Sequence, residues 1–211
     1  KALDEKSTLL KEVYHRVKNN LQVIQSLLSL QGRSVKDDSA RAALREMSQR
    51  VRSMALVHEQ LYRSSNLSEV RLEHYVRDLV RELAAGSEHK AGDVTISVEA
   101  PAMRVGMDIA IPLGLLLTEL VNNSFKHGFP VGRRGRISVS FEPGDEGMRI
   151  EVADDGVGLP QDFDLATSSS MGLQLAAALA AQLGGTLRFR SGPGTTAWLV
   201  LANLGDAHHD R

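Results

Sequence analysis

Cysteine is absent from the 211 residues, and aromatic residues make up only 4% of them. Without a thiol there is no disulfide scaffold, no thiolate metal site and no cysteine nucleophile, and the composition suits a reducing, intracellular compartment. One Trp, three Tyr and five Phe are scattered along the chain and cannot build a base-stacking platform. Neither charge is in excess. Against 25 Lys and Arg stand 26 Asp and Glu, so nothing electrostatic calls for nucleic acid or an acidic lipid surface. The longest apolar runs, at 109–117 and 175–183, fall well short of the roughly 20 residues of a membrane span. The first residues, KALDEKSTLLKE, are charged and amphipathic, unlike a signal peptide. They begin with Lys rather than Met, the mark of a piece of a longer, soluble polypeptide. At roughly 100–200 residues per domain, the length fits one large domain or two small ones.

What is present is strongly patterned. Leu3, Leu10, Tyr14, Val17, Leu21, Ile24 and Leu28 are spaced by sevens, fours and threes, which predicts one long helix. Gly32 is expected to end it, and Asp37, Asp38 and Ser39 offer N-caps for a second. There Ala40, Leu44, Met47, Val51, Met54, His58 and Leu61 repeat the seam. Two such helices joined by a short polar loop form an antiparallel hairpin. Alone it leaves much of its apolar stripe wet, and a second copy pairing into a four-helix bundle is the natural remedy. After a turn-like stretch at 62–68 the pattern changes. Helices are expected near 72–85, 109–127 and 173–183, and strands at 95–99, 137–141, 148–152, 186–190 and 196–201. Strands joined mostly by hairpins, with helices between them, predict a two-layer α/β sandwich with a mixed sheet. Domain bounds of 1–64, 65–205 and a tail at 206–211 follow.

Four segments carry residues suited to chemistry. In Tyr14-His15-Arg16-Val17-Lys18-Asn19-Asn20, His15 follows a seam position and is turned about 100° from the buried stripe. An imidazole on such a flank is mostly neutral at pH 7 and can attack a phosphoryl group, although an ordinary surface histidine reads the same way. His58, within the second seam, reads instead as a packed residue. In Thr118–His127, Glu119, Asn123, Lys126 and His127 recur at i, i+4, i+7 and i+8, one face of a regular helix. Oxygen donors there suit Mg²⁺ with phosphate, and Lys126 and His127 would face the phosphates; a solvated face is the plainer reading. In Asp154-Asp155-Gly156-Val157-Gly158, glycines permit close backbone approach and Asp154 can accept from an exocyclic amine, though a simple turn fits equally. In Ser170-Met171-Gly172-Leu173, small residues enter a helix, a ready anion site.

In this order the segments resemble a sensor histidine kinase of the subgroup related to the HWE kinases, over nearly the whole chain. HRVKNNLQ resembles that subgroup's phospho-acceptor motif, which implies His15 as acceptor. ELVNNSFKHGFP is similar to the N box of the GHKL ATPases, implying Asn123 as Mg²⁺ ligand. DDGVGL resembles the first glycine box, implying that Asp154 reads the adenine amine. SMGLQL resembles the second glycine box and GPGTT the terminal threonine motif, which brings Thr195 near the adenine. Ser170 stands where many GHKL proteins have a glycine, the 160–170 stretch is short for an ATP lid, and no phenylalanine-rich box precedes it. Arg16 follows the histidine where an acidic residue is usual, which leaves Glu12, one turn back, as candidate orienter of His15. The WxE signature is missing, so the chain sits beside the HWE group rather than in it.

The resemblance implies an α+β protein: a helical hairpin, half of a dimeric four-helix bundle, followed by a GHKL (Bergerat-type) sandwich. It further implies ATP and Mg²⁺ as cofactors, autophosphorylation of His15, transfer to the aspartate of a response-regulator receiver domain, homodimerisation, a cytoplasmic location and an upstream sensor domain. Two rivals share these motifs. One is a phosphotransfer adaptor with a degenerate ATP domain, and the other is a GHKL ATPase or serine kinase without phosphohistidine.

Overall fold

The computed structural model describes residues 2–62, 69–87, 93–130, 133–160, 163–165, 170–202 and 204. The chain divides into two compact units, Lys1–Leu67 and Ser68–Arg211, three residues beyond the expected 64/65 boundary.

The first unit is a hairpin of α1 (Ala2–Ser34) and α2 (Asp38–Tyr62). Of the three possible caps, Asp37 is used: its Oδ2 accepts the Ala40 N–H at 2.6 Å, satisfying one orphan donor of the first turn of α2. Arg41 latches the connection by donating to the Val35 carbonyl at 2.9 Å while pairing with Asp38 at 2.7 Å. Gly32 does not end α1, which runs on to Ser34. The space around Gly32 is open, so an interior glycine costs only about 1 kcal/mol in helix propensity.

The seam is shallower than the spacing predicts. Val17, Leu21 and Leu28 of α1 and Leu44, Val51 and Met54 of α2 are half-buried, whereas Val57 is fully buried. Ile24 and Met47, expected in the seam, are each 44% exposed, in company with Val13, Val23, Leu27 and Leu30. The side chains of Leu3, Leu10, Tyr14 and Leu61 lie outside the described residues. Two helices alone can bury only one stripe each, and these carry more apolar surface than one stripe.

The second unit is a sandwich. Its sheet has the order β2-β4-β5-β7-β6, formed by β2 (Val94–Glu99), β4 (Gly135–Gly144), β5 (Gly147–Asp154), β7 (Thr195–Leu201) and β6 (Arg188–Ser191). The β2–β4 pair is parallel and the other pairs are antiparallel, which makes the sheet mixed, as expected. Period-two alternation sends Ile137, Val139, Phe141, Ile150, Val152, Ala197, Leu199 and Leu201 to the buried face. Three helices cover it: α3 (Leu72–Ala85), α4 (Met107–Asn123) and α5 (Met171–Gln182). The central helix, α4, is buried almost all round from Leu113 to Val121. Tyr75 ties α3 to it by donating to the Ala110 carbonyl at 3.0 Å, and burial raises the phenol's pKa.

A two-stranded ribbon, β1 (Glu69–Arg71) with β3 (Arg104–Gly106), was not expected. Three-residue strands are too short to show a period.

His58 has its Nδ1 shielded from solvent, and burial lowers its pKa from the usual 6.5. The folded hairpin therefore disfavours the charged imidazole, and unfolding takes up a proton between the lowered value and 6.5. This contribution to stability is complete above pH 6.5 and is lost as pH falls through the folded-state value. Thermal melts should show lower stability on acidification below pH 6.5, and His58→Gln should flatten that slope. An unchanged slope in the variant would contradict the assignment.

Candidate functional site

The site is assembled at one end of the sheet, where β5 stops. Asp154 is the last residue of β5 and shares the buried face with Ile150 and Val152, so alternation delivers its carboxylate into the helix layer. There it meets the end of α4, which passes into a π turn over Ser124–Gly128. The wider turn sorts its residues sharply. Ser124, Phe125 and Gly128 are buried and Lys126 and His127 are exposed.

Three donors from three segments converge on Asp154. Ser124 Oγ donates to Oδ2 at 2.8 Å, while the backbone N–H groups of Gly156 and Thr195 donate to Oδ1 at 3.0 and 3.1 Å. The backbones themselves come close. A Cβ on Gly156 would overlap the Gly128 backbone, and one on Gly194 would overlap the Asp154 carbonyl. Val157 N–H donates to the Gly128 carbonyl at 3.0 Å, and Gly158 adopts φ +80°, which favours glycine. Arg133 braces the same loop with Nη2 on the carbonyls of Asp155 (2.9 Å) and Gly156 (3.0 Å), and Asp155 Oδ1 accepts the Arg136 N–H at 2.7 Å.

Other expected residues fall as follows. Asn123 ends α4, half-buried, and its Nδ2 is buried without a hydrogen-bond partner among the described residues. Leaving such a donor unsatisfied costs about 1–3 kcal/mol, so an acceptor such as a phosphate oxygen would suit the amide nitrogen, while the amide oxygen is the atom that could ligate a cation. Among the described residues no three His, Asp or Glu side chains converge as a metal cage. A cation here would depend on the Asn123 amide, waters and phosphate oxygens, the manner in which Mg²⁺ is ordinarily held, so the residues present fit Mg²⁺ with a nucleotide. Glu119, by contrast, is only 8% exposed and belongs to the buried wall of α4. Glu119 and Asn123 keep the i, i+4 spacing expected of them within α4. The expectation that Lys126 and His127 continue that face assumed 3.6 residues per turn throughout, and the π turn changes the register after Asn123.

Ser170 precedes α5 with no side-chain cap on that helix, Gly172 is buried and Leu173 half-buried. Residues 161–162 and 166–169, most of the expected lid, lie outside the described residues. From its base, Phe163 packs edge-on against Phe189 with ring centres 5.3 Å apart, an aromatic anchor in a segment without a phenylalanine-rich box. In the hairpin unit, His15 lies within α1, with its side chain outside the described residues. Glu12, the expected orienter, is taken by Arg16, whose Nη2 donates to Oε1 at 2.6 Å.

Ser124, Gly128 and Arg133 escaped the sequence reading. The first two lay inside a recognised motif, but only the π turn gives them their direction.

Residues 108–204 match the family model described as Histidine kinase-, DNA gyrase B-, and HSP90-like ATPase, and residues 12–86 match that described as Histidine kinase. The chain is 36% identical over 198 residues to Sensor histidine kinase PdtaS of Mycobacterium tuberculosis, across 90% of this chain and 38% of that protein. It is 27% identical to Blue-light-activated histidine kinase 2 of Erythrobacter litoralis, across 88% of this chain and 54% of that protein. The chain thus spans about two fifths to half the length of these curated relatives. Its fold follows that of the Erythrobacter litoralis EL346 blue-light activated histidine kinase, with a TM-score of 0.68 at 24% identity, over 92% of this chain and 59% of that one. The sandwich and its carboxylate-centred site thus define a GHKL-type ATPase domain. With the matched helical region before it, the chain belongs to the histidine kinases.

Gly156→Ala should destabilise the second unit by about 1–3 kcal/mol, since the methyl group has only backbone to displace. Gly192→Ala, in open space at the neighbouring turn, should stay within about 0.5 kcal/mol. Denaturant melts of the two variants would separate them, and equal losses would contradict the close approach.

Proposed function

We propose that the chain autophosphorylates His15 from Mg·ATP held in its second unit and passes the phosphoryl group to an aspartate of a response-regulator receiver domain, as a transmitter in a cytoplasmic two-component pathway. What best supports this reading is one chain combining a histidine-kinase match that spans His15 with a three-donor Asp154 beside an orphaned Asn123 amide. Asp154 accepts from the adenine amine while Thr195 and Gly156 hold its other oxygen. The Asn123 amide oxygen is the protein's ligand for Mg²⁺, which when bound neutralises phosphate charge. Exposed Lys126 and His127 meet the phosphates at the turn, and the uncapped start of α5 offers its N–H groups to the same anion. The imidazole of His15 forms the new N–P bond as ADP departs, a transfer governed by positioning and electrostatics. The receiver domain then docks on the hairpin around His15.

The exposed apolar side chains of α1 and α2, Val13, Val23, Ile24, Leu27, Leu30 and Met47, support a homodimer in which a second hairpin covers them. Light scattering should give twice the chain mass of 23.0 kDa; a monomer over a wide concentration range would overturn this part.

Incubation with γ-labelled ATP tests the central claim. Label should appear on the wild type, resist base and be lost in acid, as an imidazole N–P bond requires. His15→Ala should abolish labelling with Mg·ATP binding retained, and Asn123→Ala should abolish Mg²⁺-dependent binding and labelling together. Label on the His15→Ala protein, or label that survives acid, would give way to the serine-kinase reading.

A further inference from the structure

Ser124 has no part in cation binding or phosphoryl transfer as described above, yet it is one of few buried polar residues described, with Thr118 and Glu119. A buried Ser or Thr in a helix ordinarily donates to the carbonyl four residues back, and Thr118 does so, to Gly114 at 2.7 Å. Ser124 instead donates out of its helix to Asp154 Oδ2 at 2.8 Å. A carboxylate offers about four lone-pair sites. Both sites of Oδ1 are filled by the Gly156 and Thr195 N–H groups, and Ser124 fills one of Oδ2. One acceptor site is left.

We propose that Ser124 is a positioning residue for base recognition. By occupying one side of Oδ2, it leaves Asp154 a single acceptor site with a fixed direction. That site suits a base with one exocyclic N–H to offer, a 6-aminopurine, and repels a 6-oxopurine, whose acceptor oxygen would face the carboxylate. The inference rests on Asp154 being the base-reading group and extends that reading to the residue that aims it. Without the hydroxyl, Oδ2 has two open sites and no side-chain anchor, so the carboxylate loses its direction and water competes for it.

The test is calorimetric titration of the full chain with Mg·ATP and with the Mg complex of purine riboside triphosphate, which has hydrogen at position 6. Wild type should prefer ATP. Ser124→Ala should weaken ATP about tenfold, the scale of one charge-assisted hydrogen bond, and leave the 6-H nucleotide within about twofold. Ser124→Thr, which keeps the hydroxyl, should retain the ratio even if its methyl group weakens both nucleotides. Ser124→Cys keeps the volume with a far weaker donor and should behave as the alanine variant, serving in its place if that protein does not fold. In an Asp154→Asn background, Ser124→Ala should cause no further change in the ratio. Equal losses for both nucleotides, or an unchanged ratio in Ser124→Ala while Asp154→Asn loses it, would overturn the role of Ser124 and leave Asp154 as reader. An unchanged ratio in Asp154→Asn would overturn both.

Discussion

The arrangement of the second unit depends on one half-buried carboxylate. Asp154 lies at the end of a strand, and the three donors that meet it come from Ser124, thirty residues before, from Gly156 in its own loop, and from Thr195, forty-one residues on. A carboxylate taken out of water must be answered by donors, and each such bond to a charged acceptor is stronger than a neutral one. Satisfying Asp154 therefore fixes how the π turn, the glycine loop and the start of β7 lie against each other. Small residues follow from this. Where three backbones converge on one side chain, the positions between them have no room for a Cβ, and Gly156 and Gly194 occupy them.

The π turn is the second half of the same constraint. Over five residues it must turn Ser124 to Asp154, set Phe125 in the core and bring the Gly128 backbone under Gly156. It must also leave Lys126 and His127 in solvent. A wider turn spreads these directions, and such turns recur where function asks a helix for unusual geometry. A polar cluster that looks like one helical stripe in sequence is divided in space between buried residues at the base and the exposed Lys126 and His127 at the rim.

How much of this was legible in sequence depends on the range of the interaction. The seam spacing of α1 and α2, the alternation in β4 and β5 and the apolar character of α4 are local, and they place the elements to within a few residues. Gly32 misled because a glycine in open space weakens a helix without ending it. Asp154 and the glycines could be singled out as a group, since carboxylate and glycine types at that spacing carry their chemistry with them. Ser124 and Arg133 could not. Their meaning lies in partners at Asp154, Asp155 and Gly156, twenty or more residues away, and no periodicity encodes a side chain aimed across a sheet end.

The two units also hold their stability differently. In the sandwich, three helices cover one sheet face, and fully buried side chains run from Val70 to Leu204. In the hairpin, Val57 is the one fully buried apolar side chain among the described residues, while Val23, Leu27 and Leu30 remain more than half exposed. Isolated helix pairs gain most of their stability from packing an apolar face, not from propensity. The hairpin's stability is thus set by whatever covers that face, and the sandwich's is set internally. The half-buried His58 and the cross-hairpin ion pair from Lys18 to Glu59 at 3.5 Å add little against that difference. The contacts that hold Asp154 all come from within the second unit, whereas α1, which carries His15, belongs to the unit whose apolar face is left exposed.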